Sequence, residues 1–542
     1  MKLLHILLLW LTAMKLAAAG TDTLTFATTP DGEQLTAAAI SLPTAAANIY
    51  VSPDNRYMAL LMPRKEDEDK GTLMLYDQNT DKVKWSIPLN TTLYGYGKLT
   101  DQQRRRAISR LFDISLTRHG VLFAKTGDSH LCLLDYENGK KRWDIKLQAL
   151  LVSDSLDIVL GYKTATGSKV QAYRISTGQL LWEGKVKHTT NWGWDDMTTV
   201  NDTTLLVVAD DLQFIDVKSG RMLKYSLKTG VTSGSAVLAQ IGMGLLQGVA
   251  MGAMGAMAGM HYYTPYYVPY VQSTTLSRTC SNVVHHEGRY YVADRDSLLC
   301  LDANADKIWG YEFPPRTASF SRLFQDKQHI YMLNYGFALL GGQTVKKSGR
   351  PFLASFDAET GEQLSFCQLS MKKDNIERAC ITPQGAFLMF DDGLAYQLLN
   401  DSVVNIKPWD SKAYGQLTSM PADTLYAFRK NDEVLTPLHY DQDHCIVTTD
   451  KGKMLVVGRD LKIKDDYQAE NVYWPMARWN NNVLTGFFPD EDGQQPDYWI
   501  VHESGLPKAH LTIDPERIRL QGSMLYMTYD TKVLRWDTRH ME

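Results

Sequence analysis

Leu73-Met-Leu-Tyr-Asp77 runs through Asn79-Thr-Asp81 to Val83-Lys-Trp85, and the same frame returns twice in succession. Leu131-Cys-Leu-Leu-Asp135 runs through Glu137-Asn-Gly139 to Lys141-Arg-Trp143. Val170-Gln-Ala-Tyr-Arg174 runs through Ser176-Thr-Gly178 to Leu180-Leu-Trp182. The spacing is that of a β-hairpin. An apolar strand ends at Asp77 or Asp135, whose carboxylate can bind the backbone of the turn. Four residues later, Asp81, Gly139 or Gly178 can take the left-handed conformation at the turn exit. A second strand follows, and Trp85, Trp143 or Trp182 is expected to point toward a neighbouring sheet.

Weaker copies continue the pattern. Asp216 leads to Gly220, Asp302 to Asp306 and Trp309, and Asp357 to Gly361. Strand pairs without the full mark follow at 386–399, 445–458, 498–510 and 524–536. One small sheet cannot cover both of its own faces, so the copies must stack on one another. Closing the stack into a ring is the stable solution for such sheets. The fold class expected is therefore all-β: a single propeller over residues 21–542, with about eight four-stranded blades in a range of about seven to nine. A strand near Leu24–Thr28 is expected to complete the last sheet beside Val533–Trp536.

The repeat resembles that of the PQQ-like β-propeller family. Ser52-Pro-Asp-Asn-Arg56 is also similar to the repeat of TolB-type propellers. The quinone-dependent enzymes of the PQQ-like family use a vicinal Cys-Cys pair and a calcium site. This sequence holds no Cys-Cys pair, and no calcium motif can be placed in it, so no cofactor is expected. What the resemblance implies instead is a non-catalytic, BamB-type scaffold, periplasmic or envelope-associated, binding protein partners in outer-membrane protein assembly. The alternatives are a propeller enzyme, oxidising alcohols with quinone and calcium or acting on glycans, and a carbohydrate-binding or sensor propeller.

Composition agrees with an exported globular protein. Met1-Lys2, an apolar run over Leu3–Leu11 and Ala17-Ala-Ala-Gly20 have the order of a secretory signal over residues 1–20. The first cysteine is Cys132, so a lipid-bearing N-terminal cysteine is not expected. A formal net charge of −4 supplies no basic footprint for nucleic acid. The six cysteines have no metal-ligand spacing. Cys367–Cys380 and Cys280–Cys300 are close enough in sequence for local disulfides, whereas Cys132 and Cys445 read as buried apolar groups.

Two segments fall outside the repeat. Residues 98–112 read as a short basic helix capped by Thr100 or Asp101. Ile108, Leu111 and Phe112 make its apolar face, and Arg104, Arg105, Arg106 and Arg110 load the other. Those arginines are candidates for contact with an acidic partner or a lipid headgroup, or they form a solvated face. Residues 231–271 are rich in Gly, Ala and Met and then in Tyr, with no charge from 236 to 260. Gly244, Gly248 and Gly252, then Gly255 and Gly259, recur four apart, a stripe that permits close helix packing. Membrane contact through 236–270, self-association and a docked loop all fit it.

No nucleophile, base and orienter assemble in the sequence, so no catalytic residue is assigned and the chain is not expected to be an enzyme. His285-His286-Glu287 would point to opposite faces of a strand and read as turn-exposed groups, not metal ligands. Trp192 and Trp194, beside Asp195 and Asp196, suit a sugar-binding surface or a packed loop.

Overall fold

The computed structural model describes residues 22–541, except 65–66, 90–99, 126–129, 164–168, 187–195, 202, 209–210, 227–275, 279–280, 295, 341–343, 370–373, 402, 422, 429–434, 439, 469–471 and 489–494. The proposed leader, the glycine stripe, Trp192, Trp194 and Cys280 therefore lie outside the described residues.

The first copy of the repeat closes a four-stranded antiparallel sheet made of Asn48–Val51, Tyr57–Arg64, Asp67–Asp77 and Lys82–Leu89. Tyr57–Pro63 is buried on both sides, while the outer strand Lys82–Leu89 alternates. That gradient follows from position, since inner strands are covered by sheets on both sides and outer strands reach solvent. Eight such four-stranded sheets stand separately. An eleven-stranded sheet holds two more meanders of the same kind. One is Val472–Trp479, Asn482–Phe487, Asp497–His502 and Pro507–Leu511. The other is Arg517–Gln521, Met524–Tyr529 and Lys532–Asp537, completed by Gln34–Ser41 from the other end of the chain.

Successive sheets share apolar clusters. Leu75 and Trp85 pack with Ile114 and Val121, Leu133 with Leu147 and Val159, and Phe214 with Tyr290. The circle closes where Ile40, Tyr526 and Val533 pack on Ile49, Met58 and Leu60. The fold is a closed, all-β propeller. Ring closure uses Gln34–Ser41 in place of the expected Leu24–Thr28. Asp22–Thr28 lies one strand further out and also reaches Pro507–Leu511. Ala37 and Ala39 share a buried cluster with Phe26 and Ala27, while Ile40 enters the interface with the first sheet.

The repeat residues meet across sheets. The ladder slips by one residue just before Trp85, Trp143, Trp182 and Trp309, a bulge that turns each ring toward the next sheet. There the indole N–H donates to a backbone carbonyl: Trp85 to Tyr136 at 3.0 Å, Trp143 to Ile175 at 2.8 Å, Trp182 to Val217 at 2.9 Å and Trp309 to Ala358 at 3.2 Å. The ring face covers a turn glycine, so Trp85 lies on Gly139, Trp143 on Gly178, Trp182 on Gly220 and Trp309 on Gly361. Asp135, Asp302 and Asp357 accept turn N–H groups at 2.7–2.8 Å, from Glu137, Asn304 and Thr360. Asp77 and Asp216 do the same for Asn79 and Ser219. Where Arg174 replaces the aspartate, Asp157 of the preceding turn receives the Ser176 N–H at 2.8 Å. In the shortened copy the left-handed residue is Ala305, at φ +66°, and not Asp306.

The five described cysteines are free and buried. The local Cys367–Cys380 bridge does not form because the two belong to different inter-sheet clusters. Cys367 faces the Gln397 side chain at 3.2 Å, while Cys380 packs with Cys445 and Tyr440.

Gly178 and Gly288 separate backbone strain from packing. Both have positive φ, but a β-carbon at Gly178 would lie 2.6 Å from Trp143 Cγ, whereas nothing lies within 4 Å at Gly288. Gly288→Ala is expected to cost about 1 kcal/mol and Gly178→Ala about 3 kcal/mol or more, read by denaturant unfolding. Equal costs would remove the Trp–Gly contact from the account of stability.

Candidate functional site: a basic rim at one mouth of the ring

The segment between the first and second sheets forms the helix Asp101–Arg110. Thr100 caps it: its hydroxyl accepts from the Gln103 N–H at 3.2 Å, and the Gln103 side chain accepts from the Thr100 N–H at 3.0 Å. Ile108 is fully buried in the cluster shared by the first two sheets, which fixes the helix over that interface. Leu111 is the C-cap, and Phe112 already begins the next inner strand, Phe112–Thr117.

The four helix arginines divide by partner. Arg105 makes a two-point ion pair with Glu516, one arm of it Nε to Oε2 at 2.9 Å. Arg104 pairs with Asp101 at 3.2 Å. Arg106 and Arg110 are exposed. Arg105 thus ties the helix to a residue beside the last inner strand, and the outward pair carries the surface charge.

Two further arginines lie on that inner strand. Arg517 donates through Nε to the Ala47 carbonyl at 3.2 Å and through Nη1 to the Glu516 carbonyl at 2.8 Å. Arg519 donates to the Ile49 carbonyl at 3.5 Å. Burial lowers the pKa of both; at Arg517 the Glu516 carboxylate opposes the shift, while Arg106 and Arg105 add to it. These residues carry no mark in the sequence, because Arg-Ile-Arg-Leu reads as an ordinary alternating strand. Asn48–Val51 lies between this strand and Phe112–Thr117. Burial pushes the Asp113 carboxyl up to about 6. Tyr50 is raised by burial and by the Asp113 charge. The arrangement can hold an anionic group or an acidic chain segment at the rim, but it contains no nucleophile.

The other sequence candidates fall elsewhere. His285 and His286 end a short strand, with Glu287 and Gly288 in the turn. The His285 ring packs on Tyr290 at 5.0 Å, and His286 lies 3.4 Å from the Lys327 carbonyl. Among the described residues no group of three or more His, Cys, Asp or Glu could hold a metal ion. A cluster not read in the sequence surrounds Asp497, which accepts from Tyr473 at 2.6 Å and Trp499 at 3.0 Å, with His510 Nε2 at 2.5 Å. Burial alone would raise Asp497, yet hydrogen bonds from His510, Tyr473 and Trp499 hold it at about 2. Among the described residues, no Ser, Thr or Cys hydrogen-bonds His510 to complete a nucleophilic set. Among them also, no helix is long and apolar enough to cross a membrane.

The fold is a β-propeller whose sheets are joined by recurring tryptophan–glycine contacts. Residues 23–249 match the family described as Outer membrane protein assembly factor BamB. A comparison with curated proteins gives no match. Among solved structures, BamB from Moraxella catarrhalis is 10% identical, with a TM-score of 0.34 over 74% of this chain and 96% of that one. A eukaryotic initiation factor is 11% identical, with a TM-score of 0.36 over 86% and 96%. The Cps50 (Swd1) β-propeller domain of Myceliophteria thermophila is 9% identical, with a TM-score of 0.25 over 78% and 97%.

Asp113 supplies a pH test. Its folded pKa of about 6 stands above the ordinary 3.8, so the folded state holds the proton more tightly. Its charge therefore opposes folding, and that penalty develops as pH rises from about 4 through 6. Asp113→Asn is expected to stabilise the protein by roughly 2 kcal/mol at pH 8 and by well under about 1 kcal/mol at pH 4, read by thermal unfolding at both.

Proposed function

We propose that this chain is an exported, non-catalytic propeller that binds protein partners in the cell envelope, in the manner of BamB-type scaffolds and within outer-membrane protein assembly. The observation that carries the reading is the family match across residues 23–249. In this plan residues 1–20 are a leader, 21–542 the propeller, and 98–112 and 231–271 the two insertions. The lack of quinone-enzyme cysteine pairs and of a recognisable catalytic motif supports a binding role. Arg106 and Arg110 give the rim an outward positive charge suited to an acidic partner surface.

The test is crosslinking in native envelope with the wild-type chain and an Arg106→Glu/Arg110→Glu variant. Outer-membrane assembly proteins are expected among the crosslinks, and charge reversal is expected to cut their yield tenfold or more at low salt. The difference should shrink at high salt, where exposed charges are screened. Recovery of the chain outside the envelope, or no assembly protein among the crosslinks, would count against the scaffold reading.

A further inference from the structure

A cavity of about 400 Å³ opens beside the outer half of the sheet that contains Phe352–Asp357 and Gln363–Gln368. That volume falls within the usual range for a small-molecule site. Phe352 forms the buried floor, and Phe366 forms a wall that leaves 37% of its surface exposed. Their ring centroids lie 4.9 Å apart, so the buried Phe352 ring backs and holds the Phe366 ring that faces the cavity. Thr317, Gly349, Gln368 and two arginines with exposed side chains, Arg316 and Arg350, complete the lining.

The backbone around the arginines is built to keep them there. Asp296 sits next to Arg316, but both its carboxylate oxygens are engaged by loop N–H groups. Arg316 donates to one at 3.0 Å and Ala318 to the other at 2.9 Å. Arg316 itself has φ +67°, a left-handed conformation that costs a non-glycine residue about 1–2 kcal/mol. Opposite it, Gly349 also has positive φ, and a β-carbon there would lie 2.7 Å from the Thr317 carbonyl oxygen. The two loops therefore meet with no room for a side chain, and this contact sets the spacing of their arginines. Among the described residues, no ion pair joins either guanidinium to a carboxylate.

We propose that this cavity binds a small aromatic carboxylate. Its ring lies against Phe366, which Phe352 backs from within, and its carboxylate bridges the Arg316 and Arg350 guanidiniums. Arginine suits the second task because its planar fork matches a carboxylate. Aromatic walls suit the first because offset ring pairs gain beyond simple burial. Neither half of the site specifies the ligand alone; the pairing of both on one cavity does.

The probe is 3-phenylpropionate, titrated calorimetrically into the full chain, with 3-phenylpropionamide and inorganic phosphate as comparisons. Saturable binding of the acid is expected, at least tenfold tighter than that of the amide or of phosphate. Arg316→Gln/Arg350→Gln is expected to weaken it tenfold or more while the melting temperature stays unchanged, and Phe366→Ala, which also loses its packing on Phe352, is expected to weaken it tenfold or more. Absence of saturable binding to the wild-type chain overturns the proposal. So does equal binding of acid and amide, which removes the arginines, or of acid and phosphate, which removes the aromatic wall. Those last comparisons use the unmodified protein and do not depend on any variant folding.

Discussion

The structure depends on one contact repeated between sheets, in which a tryptophan lies flat on the turn glycine of the next sheet and donates its indole N–H to a carbonyl beside it. The contact couples three requirements. The turn must pass through a left-handed residue, that residue must lack a side chain, and the outer strand must bulge to aim the ring. Each requirement falls on a different part of the repeat, so the spacing recurs in the copies that keep the contact, and the glycine requirement loosens where Asp81 or Ala305 takes the left-handed position. Burying such a ring contributes about 1.5–3 kcal/mol, and the hydrogen bond adds about 1 kcal/mol.

This explains which parts of the fold were legible in the sequence. Copies that keep the full contact, ending at Trp85, Trp143 and Trp182, announce a hairpin and an interface together. Later sheets solve the same packing problem by other means. Trp479 meets Trp536 edge-on at 5.9 Å, and Phe26 packs on Trp536 at 5.3 Å, contacts between residues with no fixed spacing. Turns such as Asp326-Lys-Gln-His329 and Asp441-Gln-Asp-His444 use aspartate to bind the His N–H and its ring, without a glycine. A pattern built on Asp, Gly and Trp passes over them.

The basic rim was half legible for a related reason. The helix arginines stand in one local run, and the Thr100 cap and apolar positions place them on a helix. Arg517 and Arg519 lie more than four hundred residues away, and their acceptors are carbonyls of Ala47 and Ile49. A backbone carbonyl has no residue type, so such a partner leaves no trace in the sequence. The same holds for the cavity beside Phe366, where loops rather than side-chain identity set the spacing of the two arginines.

Ring closure puts Gln34–Ser41 beside Lys532–Asp537, so the last sheet of the circle is itself built of strands from both ends of the chain. A ribosome must therefore deliver nearly the whole chain before the circle can lock. Until then, the growing arc has an uncovered sheet at each end, and every addition only moves one of them. Shielding during synthesis matters most at these two faces. A chain cut short of Lys532 would lose the partner of Gln34–Ser41, leaving an open arc with a sticky edge.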